Sequence, residues 1–385
     1  MHVAFLLLFP GYFFYETLLG VGAIDPFLGG YFSIVSVALL LPLMFFYILD
    51  VERVKRFLST TDFYFFLFIG YFLFIIGIHF FTGADSKLTV DHLSSIIHMV
   101  NLFIIFKALD FRERTFRLIT MVSLVGMSAI VFYFSIGGFF DLKDDALKNA
   151  EMVATYQGFA RSYLLTFIVA IAFYRAPVMR YGLYALAAAT LFVNGARSEF
   201  AAMIALVPLL ELIYAKNKTL VLLVMGGVLL VLGVLFNDLV KILPENRILE
   251  LADLSQSTSV SARRYLTGLA WNTIVQHPIL GDYGSYAAGG YAHNILSAWV
   301  DLGLVGFVYL LMILLWPALQ LFFTGVFQRC TSREFVLAAS LLFITILLLV
   351  TSHYFTDMAI GAALGAYARY RYGNRSGYVE ESLRR

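Results

Sequence analysis

A histidine and an asparagine stand side by side where an apolar stretch of the sequence begins. In "GYAHNILSAWVDLGLVGF" they are His293 and Asn294, and the carboxylate of Asp301 follows about two helical turns later. The pattern predicts a helix over 293–324 with His293 in its first turn, where the helix dipole keeps an imidazole neutral and able to accept a proton. Asn294 either caps this helix or orients the ring or a sugar hydroxyl. Asp301 lies below the histidine on the same face, which predicts a salt bridge to a neighbouring helix.

Four arginines fall near the ends of apolar stretches on one predicted side of the membrane. Arg161 stands at the head of 159–174, Arg197 lies in the turn "NGARSEF", and Arg263 and Arg264 begin a predicted interfacial helix. Arginine stays charged in any surroundings and contacts phosphate oxygens in a bidentate manner. The set therefore predicts a clamp for a diphosphate. The alternative is that each arginine binds lipid headgroups or pairs with a carboxylate, of which the candidates are Glu199, Asp282 and Asp301.

The interfacial helix is predicted from its start and stop signals. Residues 255–263, "SQSTSVSAR", are rich in helix-capping hydroxyls, and apolar residues recur at helical spacing until His277-Pro278 ends the pattern. Arg264, Gly268 and Trp271 share one face of this helix, which favours Arg264 over Arg263 as the residue that contacts a ligand.

Glycines on both sides of His293 predict unusual backbone. The loop "ILGDYGSYAAGGY" contains four of them, and irregular backbone near a membrane is tolerated where it lines a wet cavity or packs on protein. Within the following helix, Gly303 and Gly306 predict the close approach of another helix.

Composition identifies the elements that must position these residues. Hydrophobic residues make up 61% of the 385-residue chain and charged residues 14%, whereas a soluble domain carries about a quarter charged residues. Stretches of about 20 apolar residues match the thickness of a bilayer. Twelve candidate spans are predicted, and 182–195 with 199–215 are either two spans or a re-entrant pair. The stretches are 2–20, 31–49, 63–81, 92–109, 115–136, 159–174, 182–195, 199–215, 219–236, 293–324, 335–351 and 355–370.

Charge predicts the orientation of this all-α, polytopic helical bundle. Lys and Arg concentrate in the loops that lie inside when both termini are cytoplasmic. One membrane domain, 1–385, is predicted, with a long outer segment, 237–292, that carries the interfacial helix and precedes the span near 293. The first apolar stretch lacks a basic leader and a cleavage site, so we expect it to be retained as a span. The net charge of +2 argues against nucleic acid as a partner.

The sequence predicts neither a metal site nor a cofactor. His79, His92, His98, His277 and His353 lack the spacing of zinc ligands. The sequence contains no D-x-D pair that could hold the metal of a nucleotide-sugar enzyme. It also contains no glycine-rich nucleotide-binding loop after a predicted strand. These patterns favour a lipid-carried donor over a nucleotide sugar.

Two segments resemble a known family. "RYLTGLAWNTIVQHPILGDYGSY" followed by "AHNILSAWVDLGLVGF" is similar to the signature of the O-antigen polymerase and ligase superfamily, and the likeness covers about residues 155–310. "ARSEF" resembles the S-R-G element of the family at Arg197, although Ala196 and Glu199 depart from it, and Tyr283 stands where a glycine is common. The matching residues are Arg264, Trp271, His277, Pro278, Gly281, His293, Asn294, Leu296, Asp301, Gly303 and Gly306.

The resemblance implies a metal-independent, inverting glycosyltransferase of the bacterial inner membrane that acts at the periplasmic face. Its donor would be an undecaprenyl-diphosphate-linked glycan, and its partners would be membrane lipids and a chain-length-regulating membrane protein. His293 would act as base, and arginines would hold the departing diphosphate, with Arg161, Arg197 and Arg264 as the predicted catalytic set. The predicted substrate-binding residues are Arg263, Trp271, Tyr283, Asn294 and Asp301.

Several functions fit these motifs. A polymerase would join lipid-linked repeats of a surface polysaccharide, and a ligase would transfer the glycan to lipid A-core. The modest outer segment favours the polymerase. A transporter or flippase of lipid-linked sugars would also carry twelve spans and buried charges, but it predicts alternating access, paired broken helices and often a repeat. The sequence shows no repeat, and its candidate polar residues cluster at one face. A multispanning peptidoglycan glycosyltransferase would use an outer carboxylate, for which Asp253 and Asp282 lack a supporting motif.

Overall fold

The computed structural model confirms that the protein is all-α. It describes residues 1–25, 30–53, 59–83, 85–110, 113–140, 142, 156–242, 248, 258–286, 290–325 and 330–373. Of the residues described, about 82% are helical. Within those residues the sheet consists of β1 (Ser135–Ile136) and β2 (Phe139–Phe140), which pair antiparallel.

Fourteen α-helices follow one another along the described chain. A π-helical turn, Leu7–Gly11, joins the first two around Pro10. The helices are α1 (His2–Leu6), α2 (Tyr12–Gly20), α3 (Tyr31–Arg53), α4 (Thr60–Phe81), α5 (Ser86–Ala108), α6 (Arg114–Tyr133), α7 (Tyr156–Phe173), α8 (Pro177–Asn194), α9 (Arg197–Tyr214), α10 (Lys218–Ile242), α11 (Thr258–Gln276), α12 (Leu296–Phe323), α13 (Arg333–Thr351) and α14 (Ala359–Gly373).

Nine helical segments among the described residues are long and apolar enough to cross a membrane. They are His2–Gly20, Tyr31–Leu49, Thr60–Phe81, Ser86–Ala108, Arg114–Tyr133, Tyr156–Phe173, Lys218–Leu235, Leu296–Phe323 and Arg333–Thr351. The other three predicted spans are also helices, namely α8, α9 and α14. With 18 residues each, α8 and α9 are about 27 Å long, close to the thickness of the hydrocarbon core. Twelve spans and their orientation remain predictions.

The outward faces of the bundle are apolar, as a lipid environment requires. Leu41 is 77% exposed and Leu223 is 69% exposed, and neighbouring outward positions are also apolar. A soluble monomer rarely leaves continuous apolar surface of this extent. The peripheral helix α10 packs against α9 and keeps the side chains of its apolar residues largely outside the bundle.

The short helix α14 lies at the centre of the bundle and packs most closely against α5. A Cβ atom at Gly361 would come within 2.7 Å of the Met99 carbonyl carbon, and one at Gly365 within 2.9 Å of that of Phe103. Glycine therefore lets the two backbones touch, as small residues do between membrane helices. This contact anchors the turn between α13 and α14, which carries His353 and Asp357.

The structure corrects the prediction of one continuous helix over 293–324. The helix α12 begins at Leu296, and at Gly303 its backbone takes φ 67° and ψ −177°, which breaks the helical path. The Tyr71 hydroxyl donates to the carbonyl of Leu302 at 2.8 Å and so satisfies an acceptor beside the break.

The break receives the loop that follows α11, rather than a neighbouring helix as predicted. The Asp282 amide donates to the Val300 carbonyl at 2.7 Å, and the Leu304 amide donates to the Ile279 carbonyl at 3.0 Å. A Cβ atom at Gly303 would lie 2.6 Å from the Leu280 carbonyl carbon. Gly306 instead faces a side chain of α4, since its Cβ would lie 2.8 Å from the Tyr71 ring.

We expect Gly303→Ala to destabilise the protein by at least about 2 kcal/mol, because alanine disfavours a positive φ and its methyl group meets the loop backbone. The apparent unfolding midpoint of the detergent-solubilised protein measures this. The matched control is Gly268→Ala in α11, where no atom lies within 4 Å of an added Cβ. It should leave the midpoint unchanged or raise it, because alanine favours a helix by about 1 kcal/mol. Equal midpoints for the two variants would contradict the role of Gly303.

Candidate functional site

A cavity of about 510 Å³ opens at one end of the bundle, where several helices begin or end. It lies at the starts of α7 and α9, beside α11, at the loop before α12 and at the turn between α13 and α14. We call it the polar cavity. Its ionisable lining comprises Arg161, Arg197, Arg263, His293, His353, Glu199 and Asp357, together with Tyr156, Tyr291 and Tyr354.

The turn between α8 and α9 brings Arg197 into the polar cavity. Gly195 ends α8 in the left-handed conformation, φ 77°, and its amide donates to the Leu191 carbonyl at 3.2 Å. Arg197 is the first residue of α9 and Glu199 lies in its first turn, where a carboxylate complements the helix dipole. The "NGARSEF" turn thus places a cation and a buried carboxylate beside each other.

Arg161 is held between two carboxylates. Its Nη1 donates to both oxygens of Asp357, at 3.0 and 2.8 Å, and its Nε lies 3.6 Å from Glu199 Oε1. The side chain of Arg161 is 18% exposed, and those of Glu199 and Asp357 are 2% and 7% exposed. Carboxylate pairing was the alternative prediction for these arginines, and the structure favours it for Arg161. Its charge is balanced within the protein.

His353 completes this ion cluster. Its Nδ1 lies 2.7 Å from Asp357 Oδ2, and its Nε2 lies 3.5 Å from Glu199 Oε1. Burial and Arg161 lower the pKa of His353, but Asp357 and Glu199 outweigh them and raise it above the ordinary value. Burial raises the pKa of Asp357, while Arg161 and His353 hold it well below its usual range. The sequence reasoning missed both residues, although two ionisable side chains four positions apart in a short connection were a usable signal.

His293 lines the polar cavity and is half-buried. Burial, Arg263 and His353, in that order, lower the pKa of the imidazole from its ordinary value of 6.5. Because α12 begins three residues later, His293 is not in a helical first turn, and the predicted cause of its neutrality is wrong. A neutral imidazole still follows, from burial and a neighbouring guanidinium.

The face of α11 that meets the bundle differs from the predicted one. Arg263 lines the polar cavity, and Ala270 and Ile274, seven and eleven positions later, are buried. Arg264 is exposed and Trp271 is 52% exposed, on a strip of the helix rotated by about 100° from the inward one. Neither lines the polar cavity. The structure therefore places Arg263, rather than Arg264, beside His293.

Asn294 ties α11 to α12. Its side-chain amide donates to Thr267 Oγ1 at 3.1 Å, and its carbonyl oxygen accepts from the Leu296 amide at 3.0 Å. The cap position of α12 is Ile295, so Asn294 stabilises the start of this helix from one position before the cap, and capping was one of its two predicted roles. It lies outside the lining of the polar cavity.

Asp301 and Tyr283 lie in a buried network beneath the cavity. Asp301 makes hydrogen bonds rather than the predicted salt bridge: it accepts from the Gly284 amide at 3.0 Å, from the Tyr286 hydroxyl at 3.0 Å and from the Tyr354 hydroxyl. Three neutral donors satisfy its oxygens, so an ionic partner is not required. We call Asp301, Tyr283, Tyr286, Tyr354 and His92 the tyrosine network.

His92 links the two halves of the tyrosine network. Its Nδ1 lies 2.8 Å from the Tyr283 hydroxyl and its Nε2 lies 3.1 Å from the Tyr354 hydroxyl. A ring protonated at Nε2 satisfies every member, because Tyr283 then donates to His92, His92 to Tyr354, and Tyr354 to Asp301. Tyr283 also stacks on His79, with ring centroids 4.9 Å apart. Of this set, Tyr354 alone reaches the lining of the polar cavity.

No protein-family model matches this chain, and no curated protein matches it. The likeness to the O-antigen polymerase and ligase superfamily therefore depends on the motif residues of the sequence. Within the described segments, the His, Cys, Asp and Glu side chains form no group of three or more arranged to hold a metal ion.

We expect Arg161→Ala to destabilise the protein by about 3–5 kcal/mol, because it leaves the two buried carboxylates with His353 as their partner in place of Arg161 and His353 together. The exposed Arg175, at the other end of α7, provides the matched control, and Arg175→Ala should leave the unfolding midpoint unchanged. Asp357→Asn introduced with Arg161→Ala should recover part of the loss, since one of the two carboxylate charges is gone and His353 then faces the other. A stable Arg161→Ala variant that has lost lipid-diphosphate binding would instead support the donor clamp predicted from the sequence.

Proposed function

We propose that the protein is a membrane glycosyltransferase that takes a glycan from an undecaprenyl-diphosphate-linked donor and transfers it to an acceptor hydroxyl. The polymerisation of lipid-linked repeats at the outer face is the favoured reaction. The observation that supports this most directly is one cavity in which two arginines, Arg197 and Arg263, stand with the neutral imidazole of His293. The sequence motif supports the same chemistry.

The two arginines suit a diphosphate because both guanidinium groups line one cavity and their charges act on each other. Burial, followed by the charge of Arg197, lowers the pKa of Arg263. Two guanidinium groups close enough to interact in this way are stabilised by an anion bound between them. The start of α9, where Arg197 lies, adds the amide groups and the positive dipole end that phosphates prefer. Arg161 serves this site indirectly by holding α7, α9 and the turn after α13 together.

In the proposed reaction His293 takes the proton from the acceptor hydroxyl. The acceptor oxygen then forms a bond to the anomeric carbon as the bond from that carbon to the diphosphate oxygen breaks. The electron pair leaves with the lipid diphosphate, and the configuration at the carbon inverts. Arg197 and Arg263 stabilise the negative charge that develops on the leaving group, which is usually the larger catalytic contribution.

Arg263→Gln should weaken binding of a lipid diphosphate and lower the transfer rate by about 100-fold, since it removes one preorganised donor to the leaving group. Arg264→Gln, one position later on the exposed face of α11, should change neither quantity. Purified protein in nanodiscs is incubated with lipid-linked repeat alone, and product length is followed. Longer chains without added lipid A-core support the polymerase, and product that requires the core supports the ligase. A wild-type protein that binds donor without consuming it contradicts glycosyl transfer.

The rate should depend on pH through His293. A base must be unprotonated, and the pKa of His293 is lowered, so activity should persist at pH 6.5 and fall only at more acidic pH. Arg263 is one cause of the lowered pKa of His293, so Arg263→Gln should raise that pKa. The acidic limb of the pH–rate profile of this variant should therefore move to higher pH. Arg264→Gln should leave the limb in place. Identical acidic limbs for the Arg263→Gln variant and the wild type would contradict the assignment of His293 as the base.

A further inference from the structure

We propose that the ring of Tyr291, supported by Tyr354, is the surface on which a sugar ring of the acceptor stacks, so that the acceptor hydroxyl faces His293. This inference rests on the proposed glycosyl transfer and names the acceptor subsite within the polar cavity. Tyr291 lies within two of the stretches quoted in the sequence analysis, but no role was predicted for it there. Its position in the structure gives it this role.

Tyr291 lies directly against the proposed base. Its ring centroid is 4.7 Å from that of His293, with the two planes inclined at 51°, and both residues line the polar cavity. The ring of Tyr354 lies 4.6 Å away on the same lining. A ligand that places a hydroxyl at His293 therefore meets a tyrosine ring beside it.

The aromatic and cationic parts of the lining are electrostatically distinct. Arg263 and His353 act on His293, whereas the charge that acts on the Tyr291 hydroxyl is the exposed carboxylate of Asp91 in α5. Burial and Asp91 both raise the pKa of Tyr291, so its hydroxyl stays protonated and neutral. The faces of aromatic rings are electronegative and do not attract an anion. The diphosphate thus belongs with the arginines, and the neutral sugar belongs with the tyrosines.

The surface is rigid because Tyr354 is held from below by the tyrosine network. Its hydroxyl donates to Asp301, lies 2.6 Å from the Tyr286 hydroxyl and lies 3.1 Å from Nε2 of His92. Asp301 is fully buried, so these bonds are shielded from water. Asp301 is therefore a positioning residue for the acceptor subsite, through Tyr354. A preorganised ring loses little entropy when a sugar binds to it.

The experiment uses the full-length protein in nanodiscs. The donor is the lipid-linked repeat, purified from cells that carry the protein. The oligosaccharide released from that repeat by mild acid serves as the soluble acceptor. Tyr291→Leu, which removes the aromatic ring, is compared with Tyr291→Phe, which keeps it. Tyr265→Leu is the matched control, because Tyr265 is 67% exposed on α11. Acceptor KM, kcat and the Kd of a fluorescent lipid diphosphate are measured for each variant.

We expect Tyr291→Leu to raise the acceptor KM about 10-fold, as the loss of a favourable ring contact implies. Tyr291→Phe and Tyr265→Leu should stay near the wild type, and the Kd of the lipid diphosphate should be the same in all. Equal acceptor KM values for Tyr291→Leu and Tyr291→Phe would overturn the proposal. Weakening of lipid-diphosphate binding in Tyr291→Leu to the same extent as acceptor binding would also overturn it. A wild type that makes no product from donor and acceptor contradicts the proposed function instead, so the two failures are distinguishable.

Discussion

A guanidinium shared by two buried carboxylates holds the polar end of this bundle together. Arg161 in α7 contacts Glu199 in α9 and Asp357 in the turn before α14, so three segments far apart in sequence meet at one cation. In a low-dielectric interior, each of these charges would be costly alone, and together they satisfy one another. The cavity exists because these helices are fixed at a distance that leaves space beside the cluster, where Arg197, Arg263 and His293 also lie.

Backbone contacts provide the second constraint. The break of α12 at Gly303 opens the amide of Leu304 and the carbonyl of Val300 to the loop after α11, and the loop uses both. Glycine is needed at this contact because a side chain at Gly303 would occupy the position of the loop backbone. Through it, the C-terminal end of α11 is held against α12, while the Asn294–Thr267 hydrogen bond holds the earlier turns of α11 close to the residues that precede α12. Pro278 and Gly281 of this loop therefore form one structural joint with α12, since Trp299 Nε1 donates to the Pro278 carbonyl and a Cβ atom at Gly281 would lie 2.8 Å from the Gly303 nitrogen.

Two parts of the cavity lining differ in chemistry. The N-terminal end of α9 and the inward face of α11 supply Arg197 and Arg263, while the loop before α12 and the turn after α13 supply the rings of Tyr291 and Tyr354. His293 adjoins both groups, since Arg263 lowers the pKa of its imidazole and Tyr291 packs on its ring. A transfer between a charged donor and a neutral acceptor requires such a division. The ion cluster around Arg161 supports the arginine side of the cavity, and the tyrosine network supports the side that carries the tyrosine rings.

Hydrophobic runs determined the helices, because a bilayer leaves a long apolar segment no other conformation that satisfies its backbone. Every predicted span is helical, and the arginines near the ends of those spans converge at one end of the bundle with His293. The face that each helix turns towards the bundle could not be predicted from the sequence. Neighbouring positions differ by about 100° around a helix, and the packing of the helices determines which of them points inward. For that reason the sequence favoured Arg264, whereas the tertiary structure turns Arg263 to the cavity. Distant partners also decided the roles of other residues. Asp301 and Tyr291 both contact Tyr354, and His353 and Asp357 contact Glu199 and Arg161, and only the folded chain brings such partners together.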